Sequence, residues 1–338
     1  DLYGNLGGRL DMTITTLGAY SGSLLMGTTK FAIKGVLDLD ALDPNGLDPD
    51  EGVPPGFEIV IPQKNSPAPL ILELDMPLLD EDGDPDINGE RFVTGTVTDG
   101  TGTADIDGWW QKWNPKAGAA ASDFQGYYTF GLAIPENDTA LGDASVPQGA
   151  GYASFTLAAD GKYKLAGKTP DGESLTTAGI SGPAGQILVF QTFYKPAAGS
   201  LLGVPVISTT GGATPQDRPL MGDADWLRPE NTNLKHRVFR AGFALQPMSI
   251  MGGRYSLPDA GNVVMNLAPD SQVTMSFLEG GIGTTFDGPP GQTSRVDMTL
   301  RIDAKNKLIT VAGPALPDTN KPKDRKSTRL NSSHANIS

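Results

Sequence analysis

The chain has 338 residues, a formal net charge of −13, 43 glycines, 27 prolines and no cysteine. That length supports a large buried core, and the Gly and Pro content suits a turn-rich β protein while falling short of low complexity. The charge argues against nucleic-acid partners, the missing thiols remove disulfides and cysteine-based zinc sites, and no apolar run is long enough to span a bilayer as a helix.

In chain order, strands are expected at about 9–16, 20–26 and 29–37, then at 57–61 and 70–76. Acidic loops separate these groups, one from Asp38 to Pro55 and one from Asp80 to Glu90. Strands at 91–98, 103–107 and 127–134 follow, with a tryptophan-rich connection (Trp109, Trp110, Trp113) before the last of them. The clearest stretch is Gly149 to Ile180, where Asp160-Gly161 and Asp171-Gly172 punctuate runs of partial period-two alternation. Asp-Gly between such runs supplies the positive φ that a tight hairpin needs, so the stretch reads as a three-stranded meander. Further strands are expected near 187–194, 200–208, 219–226, 238–245, 263–267, 273–278, 294–302 and 307–312. Short connections favour antiparallel neighbours, and no sustained 3.6-residue apolar period predicts helix.

The meander recurs. Leu10 to Tyr20 aligns without gaps on Ala153 to Tyr163, bringing Thr13 over Thr156, Gly18 over Gly161 and Tyr20 over Tyr163. Asp11-Met12-Thr13-Ile14 returns as Asp297-Met298-Thr299-Leu300, and Asp107-Gly108-Trp109 aligns with Ala224-Asp225-Trp226. Recurrence of this kind is the signature of a repeat architecture. The expected fold is all-β, an internally duplicated antiparallel meander forming barrels or sandwiches. Its first repeat would occupy 1–147 and its second, with a truncated third start, 148–322. Residues 323–338 resemble a translated sequencing-adapter read-through and are expected to form a non-native, disordered tail that packs against nothing.

Few residues offer chemistry. With His334 in that tail, His236 is the one imidazole left, set between Lys235 and Arg237 without a Ser or carboxylate nearby in sequence. A catalytic triad can assemble from distant residues, but no Gly-x-Ser-x-Gly elbow is present, and a solvated loop-end histidine is the favoured reading. Gly167-Lys168-Thr169 ends like a phosphate-binding loop, yet the leading glycine position holds Lys162 and the context is strand to strand. It reads as a hairpin. The best metal candidate is the loop carrying Asp80, Asp82, Asp84, Asp86 and Asn88, whose alternating oxygens suit a hard cation such as calcium. It departs from the EF-hand pattern at the glycine position, and a solvated acidic connector is the competing reading. Trp109, Trp110, Trp113 and Trp226 could stack on sugar rings, although the recurrence of Trp109 as Trp226 favours an architectural role.

The Gly-x-Tyr turns, the tryptophans and the Phe130-Gly131 and Ala241-Gly242 landmarks resemble those of an uncharacterised class of secreted, repeat-built all-β proteins of environmental bacteria. Such proteins occur in large modular surface polypeptides beside immunoglobulin-like domains. The resemblance implies an extracellular or cell-surface location, membership of a larger polypeptide, and a non-enzymatic structural, adhesive or ligand-contact role toward a glycan or protein. A carbohydrate-binding or polysaccharide-active secreted protein and an outer-membrane β-barrel are the alternatives. No catalytic residue is expected, and calcium is the one cofactor considered.

Overall fold

The computed structural model describes residues 6–37, 56–63, 68–75, 92–195, 198–210, 218–232 and 239–255, together with the backbone of 273–278, 295–303 and 308–312. The His236 position, both acidic loops and the segment 323–338 lie outside the described residues. Compactness divides the chain after Tyr255 into two units.

The fold is all-β and antiparallel throughout. Strands β1 (Gly8–Ile14), β2 (Ala19–Met26) and β3 (Thr29–Val36) form one meander, and β4 (Gly56–Ile61), β5 (Leu70–Asp75), β6 (Phe92–Thr98) and β7 (Thr103–Trp109) form a second. Both sheets face one apolar core built from Leu24, Met26, Ile33, Ile59, Leu72, Leu74 and Val97. Alternation places these residues inward. In β5, Leu70, Leu72 and Leu74 are buried while Glu73 is exposed.

The largest sheet comprises β8 (Gly126–Ala133), β9 (Gly151–Leu157), β10 (Lys162–Lys168), β11 (Ser174–Ile180), β12 (Val189–Phe193), β13 (Gly199–Gly203), β14 (Val206–Ile207), β15 (Pro219–Arg228) and β16 (Phe243–Arg254). The strands follow one another around a barrel, and β16 returns to pair with β8. One junction lacks a main-chain ladder. Between β11 and β12, the Gln191 amide oxygen accepts from the Thr176 backbone N–H at 3.4 Å, and the Tyr163 hydroxyl donates to the Leu188 carbonyl at 2.8 Å. The start of β1 lies against the same junction, where Arg9 donates to Thr177 Oγ1 and the Ala178 carbonyl, and the Gly7 N–H donates to Ser200 Oγ.

The barrel interior is filled. Tyr128, Phe130, Leu132, Phe155, Leu157, Leu165, Leu175, Val189, Leu201, Leu220, Trp226, Met248 and Ile250 are all buried in one cluster. Tyr128 stacks on Phe155 at 5.1 Å, and Phe155 meets the Tyr163 edge at 5.7 Å. Bulk on one strand faces its absence on the next: Phe130 lies opposite Gly252, where an added Cβ would come within 2.5 Å of the Phe130 side chain. This large-to-small matching lets a narrow barrel fill without voids.

Several boundaries differ from the sequence reading. Strand β16 runs on past Pro247 to Arg254, whereas the alternation suggested an end near 245. Pro247 is tolerated because it pairs with Asp225 on β15, while β8 joins the other side of β16 only from Ser249 onward. The expected strand 200–208 is split around Pro205. The barrel also takes β8 as a member, a strand placed before the expected repeat boundary at 147. Among the described residues the helical content is one 3-10 turn, Pro115–Ala117.

The unit beyond Ser256 contains a three-stranded antiparallel sheet of β17 (Val273–Leu278), β18 (Arg295–Asp303) and β19 (Leu308–Ala312).

Candidate functional site

Polar chemistry collects at the two rims of the barrel. On one rim the β10–β11 hairpin turn carries Asp171, whose carboxylate accepts from Arg228 Nη1 and from Thr169 Oγ1. The Tyr194 hydroxyl donates to the same carboxylate at 2.8 Å and accepts from Trp226 Nε1 at 3.1 Å. The Arg228 guanidinium lies over the Tyr194 ring, 4.7 Å from its centroid, and Asn231 Nδ2 donates to the Tyr194 carbonyl. The side chains of Arg228 and Asp171 are 2% and 0% exposed. Alternation along β15 aims Trp226 and Arg228 inward, and Tyr194 reaches the cluster from a backbone with φ of 64°. A non-glycine residue in that region costs on the order of 1 kcal/mol, so the surrounding network over-determines its position. Burial, followed by the neighbouring Asp171 charge, raises the Tyr194 phenol well above the usual tyrosine range. The cluster ties together the β10–β11 turn, the β12–β13 connection and β15, and it locks this rim.

At the opposite rim Trp113, Ala121 and Phe124 pack onto the barrel core. A cleft of about 710 Å³ is lined by Gln111, Lys112, Trp113, Lys116, Asp160 and Lys162, among others. Trp113 forms its wall and is itself 7% exposed. Its Nε1 donates to the Ser181 carbonyl at 3.1 Å, and its ring meets the Phe124 edge at 5.8 Å. Gly161 makes this seat possible: its φ of 75° suits the Asp-Gly turn, and an added Cβ would fall 2.0 Å from the tryptophan ring. Lys112 lies over the Trp113 ring at 5.5 Å. Lys162 pairs with Asp160 at 2.7 Å, and that bond holds the Asp160 carboxyl below its ordinary value. Lys112, Lys116 and Lys162 are exposed, which concentrates positive charge here on an otherwise acidic chain. A second recess of about 580 Å³, lined by Thr156, Lys162, Lys164 and Ile180, shares Lys162 with it. Trp109 borders this region, since its Nε1 donates to the Ile180 carbonyl at 2.9 Å.

The four tryptophans therefore do not share one surface. Trp226 is fully buried at the locked rim, Trp113 is buried at the cleft rim, and Trp109 and Trp110 are half-buried. The sequence alignment of Trp109 with Trp226 is not matched in setting, because Trp109 ends the edge strand β7 while Trp226 points into the barrel from β15. Among the described residues no group of His or acidic side chains has the geometry to hold a metal ion. The expected calcium ligands Asp80, Asp82, Asp84, Asp86 and Asn88 lie outside the described residues. Gly167-Lys168-Thr169 closes β10 and enters the turn to β11, with Lys168 paired to Ser174, as the hairpin reading expects.

Of the locked-rim residues, Trp226 was singled out in the sequence as a tryptophan and Asp171 only as a turn residue, while Tyr194, Arg228, Asn231 and the cleft lysines were not singled out as a site. Asp171 read as a turn residue, which it also is, and nothing local in Trp226-Leu227-Arg228-Pro229 signals a partner 57 positions away. Three lysines scattered over Lys112, Lys116 and Lys162 become a cluster only through the β9–β10 turn.

The protein is thus an all-β, antiparallel chain in which β8 to β16 form a nearly closed, side-chain-filled barrel. No family model matches it, and no curated protein matches it in sequence. Among the described residues no helix is long and apolar enough to cross a membrane.

Proposed function

We propose that the protein is a repeat-built, non-enzymatic module of a larger extracellular polypeptide, and that it touches its ligand through the lysine-lined cleft beside Trp113. The observation that carries this reading is the packed barrel. Side chains occupy the space in which ligand-carrying barrels keep a cavity, so the barrel serves as a rigid frame and contact falls to its outer surface. The exterior supports a water-facing barrel over a membrane-spanning one. Lys162, Lys164 and Lys168 on β10 and Asp225 on β15 point outward while the apolar residues point in, which reverses the lipid-facing pattern.

The cleft suits a glycan bearing carboxylate or sulfate groups. Lysines supply the charge, while Gln111, Asn114 and Asp160 offer neutral and acceptor positions for hydroxyls. Glycan recognition is the more specific form of the proposal, and it is favoured by the half-buried Trp109 beside the adjoining recess. An array of anionic and neutral glycans, read with the full chain and with a Lys112→Ala, Lys116→Ala, Lys162→Ala variant, tests it. Binding to anionic glycans is expected to fall at least tenfold in the variant. Equal binding by both proteins would remove the cleft from the proposal, and turnover of any polysaccharide would overturn the non-enzymatic reading.

A further inference from the structure

The strands of residues 8–109 follow the plan of the barrel without β8 and the two-residue β14. The hairpin from β1 to β2 and that from β9 to β10 have the same turn. In the first, the N–H groups of Thr15, Gly18 and Leu37 donate to the carbonyls of Ala19, Thr15 and Gly18. In the second, those of Ala158, Gly161 and Ser181 donate to the carbonyls of Lys162, Ala158 and Gly161. Gly18 and Gly161 have φ of 77° and 75°. Tyr20 then faces Gly35 across β2 and β3 as Tyr163 faces Gly179 across β10 and β11. The main-chain ladder breaks at the same place, after β3 in one case and after β11 in the other. Beyond the break, β4, β5, β6 and β7 pair in order, as β12, β13, β15 and β16 do.

In the barrel, β8 pairs with β9 on one side and β16 on the other. Among the described residues nothing pairs with the corresponding free sides of β1 and β7. Sequence likeness sets β18 with β1 and β9, and β18 too has a strand on that side, β17. Burial points the same way. Leu10 and Met12 on β1 and Ala104 and Ile106 on β7 pack against the shared core but are only half-buried. Ala153 and Phe155, the counterparts of Leu10 and Met12 on β9, and Met248 and Ile250 on β16 are at most 2% exposed.

We infer that the edges of β1 and β7 form a slot for one further antiparallel strand of β8's chemistry, an extended peptide with aromatic or aliphatic residues at alternate positions. Added to both edges, such a strand would satisfy the backbone groups that no described residue pairs there and cover Leu10, Met12, Ala104 and Ile106 with its inward side chains. The occupant's pattern is read from Tyr128, Phe130 and Leu132, which perform that task in the barrel. The inference does not depend on the glycan reading, although the two share the β9–β10 turn and Trp109 at the end of β7.

The test uses the full chain and a synthetic peptide with the sequence of residues 125–134, carrying two added lysines at each end for solubility. A control peptide has the inward positions changed, Tyr128→Ser, Phe130→Ser and Leu132→Ser. Fluorescence anisotropy should show saturable binding of the first peptide and at least tenfold weaker binding of the control. Hydrogen exchange should slow at least tenfold at amides of β1 beyond Arg9 and of β7. Equal binding of the two peptides, absence of binding, protection confined to the β11–β12 junction, or a dimer held through β1 or β7 that the peptide does not dissociate would each overturn the inference.

Discussion

Replacing Asp171 with Ala is the sharpest test of the locked rim. The substitution removes the carboxylate that accepts from Arg228, Tyr194 and Thr169 and so takes the Asp171 ion pair away from a guanidinium that is 2% exposed. Breaking a buried ion pair from one side costs about 3–5 kcal/mol, because the remaining charge stays desolvated. The stranded Tyr194 hydroxyl adds to that cost, while relaxation of the rim toward water reduces it. A net loss of about 3–5 kcal/mol is therefore expected, which is roughly 6–20 °C in Tm for a cooperative unit of this size. Arg228→Met should cost a similar amount by stranding the carboxylate. The double variant should cost several kcal/mol less than the sum, since the ion pair is then removed from both sides at once. Urea unfolding followed by tryptophan fluorescence and circular dichroism reads all three, with coincident transitions required before free energies are compared. Additive losses, or a loss under about 1 kcal/mol for Asp171→Ala, would refute the argument that these groups form one desolvated network.

Gly252→Ala should destabilise by about 1–3 kcal/mol or more, since the new methyl would lie 2.1 Å from the Thr129 carbonyl on β8; an unchanged denaturation midpoint would rule out that close approach. Burial pushes the Tyr128 phenol up to about 12 and also raises Tyr163 and Tyr194. The folded state favours the protonated phenols, so their contribution is complete below the unfolded value near 10 and declines as pH rises toward and through about 12. Absorbance at 295 nm should show these phenols ionising only together with unfolding, and a single transition near pH 10 with an intact β spectrum would contradict it. Calcium should raise the Tm of the wild type but not of an Asp82→Ala, Asp84→Ala variant; equal responses would remove the metal reading of that loop.

Local order was legible where turn chemistry is strong. Asp160-Gly161 and Asp171-Gly172 fix their hairpins because glycine takes the positive φ at no steric cost, with values of 75° and 89°. Alternation likewise located β5, β9 and β10, and so much of the core. What alternation cannot carry is closure. The pairing of β8 with β16 joins residues more than a hundred positions apart, and β16 disguised itself with Pro247, Gly252 and Gly253. Gly252 is present because Phe130 needs its space. The tryptophans were legible as architecture only in part. Trp226 and Trp113 are structural, but the signal that suggested it, the alignment of Trp109 with Trp226, equates residues in different settings. The buried ion pair had no local signature, since Asp171 and Arg228 meet only once the barrel has formed.

The pairing of Tyr128 with Arg254 places the first residues of β8 beside the last residues of β16. The chain therefore enters and leaves the barrel at the same rim, next to one another. Tension applied through the two ends would load that ladder from its tip, so its bonds would part in succession, like a zipper, in place of resisting together in shear. A barrel threaded this way yields early when pulled, and along a tethered polypeptide it would act as a reserve of length.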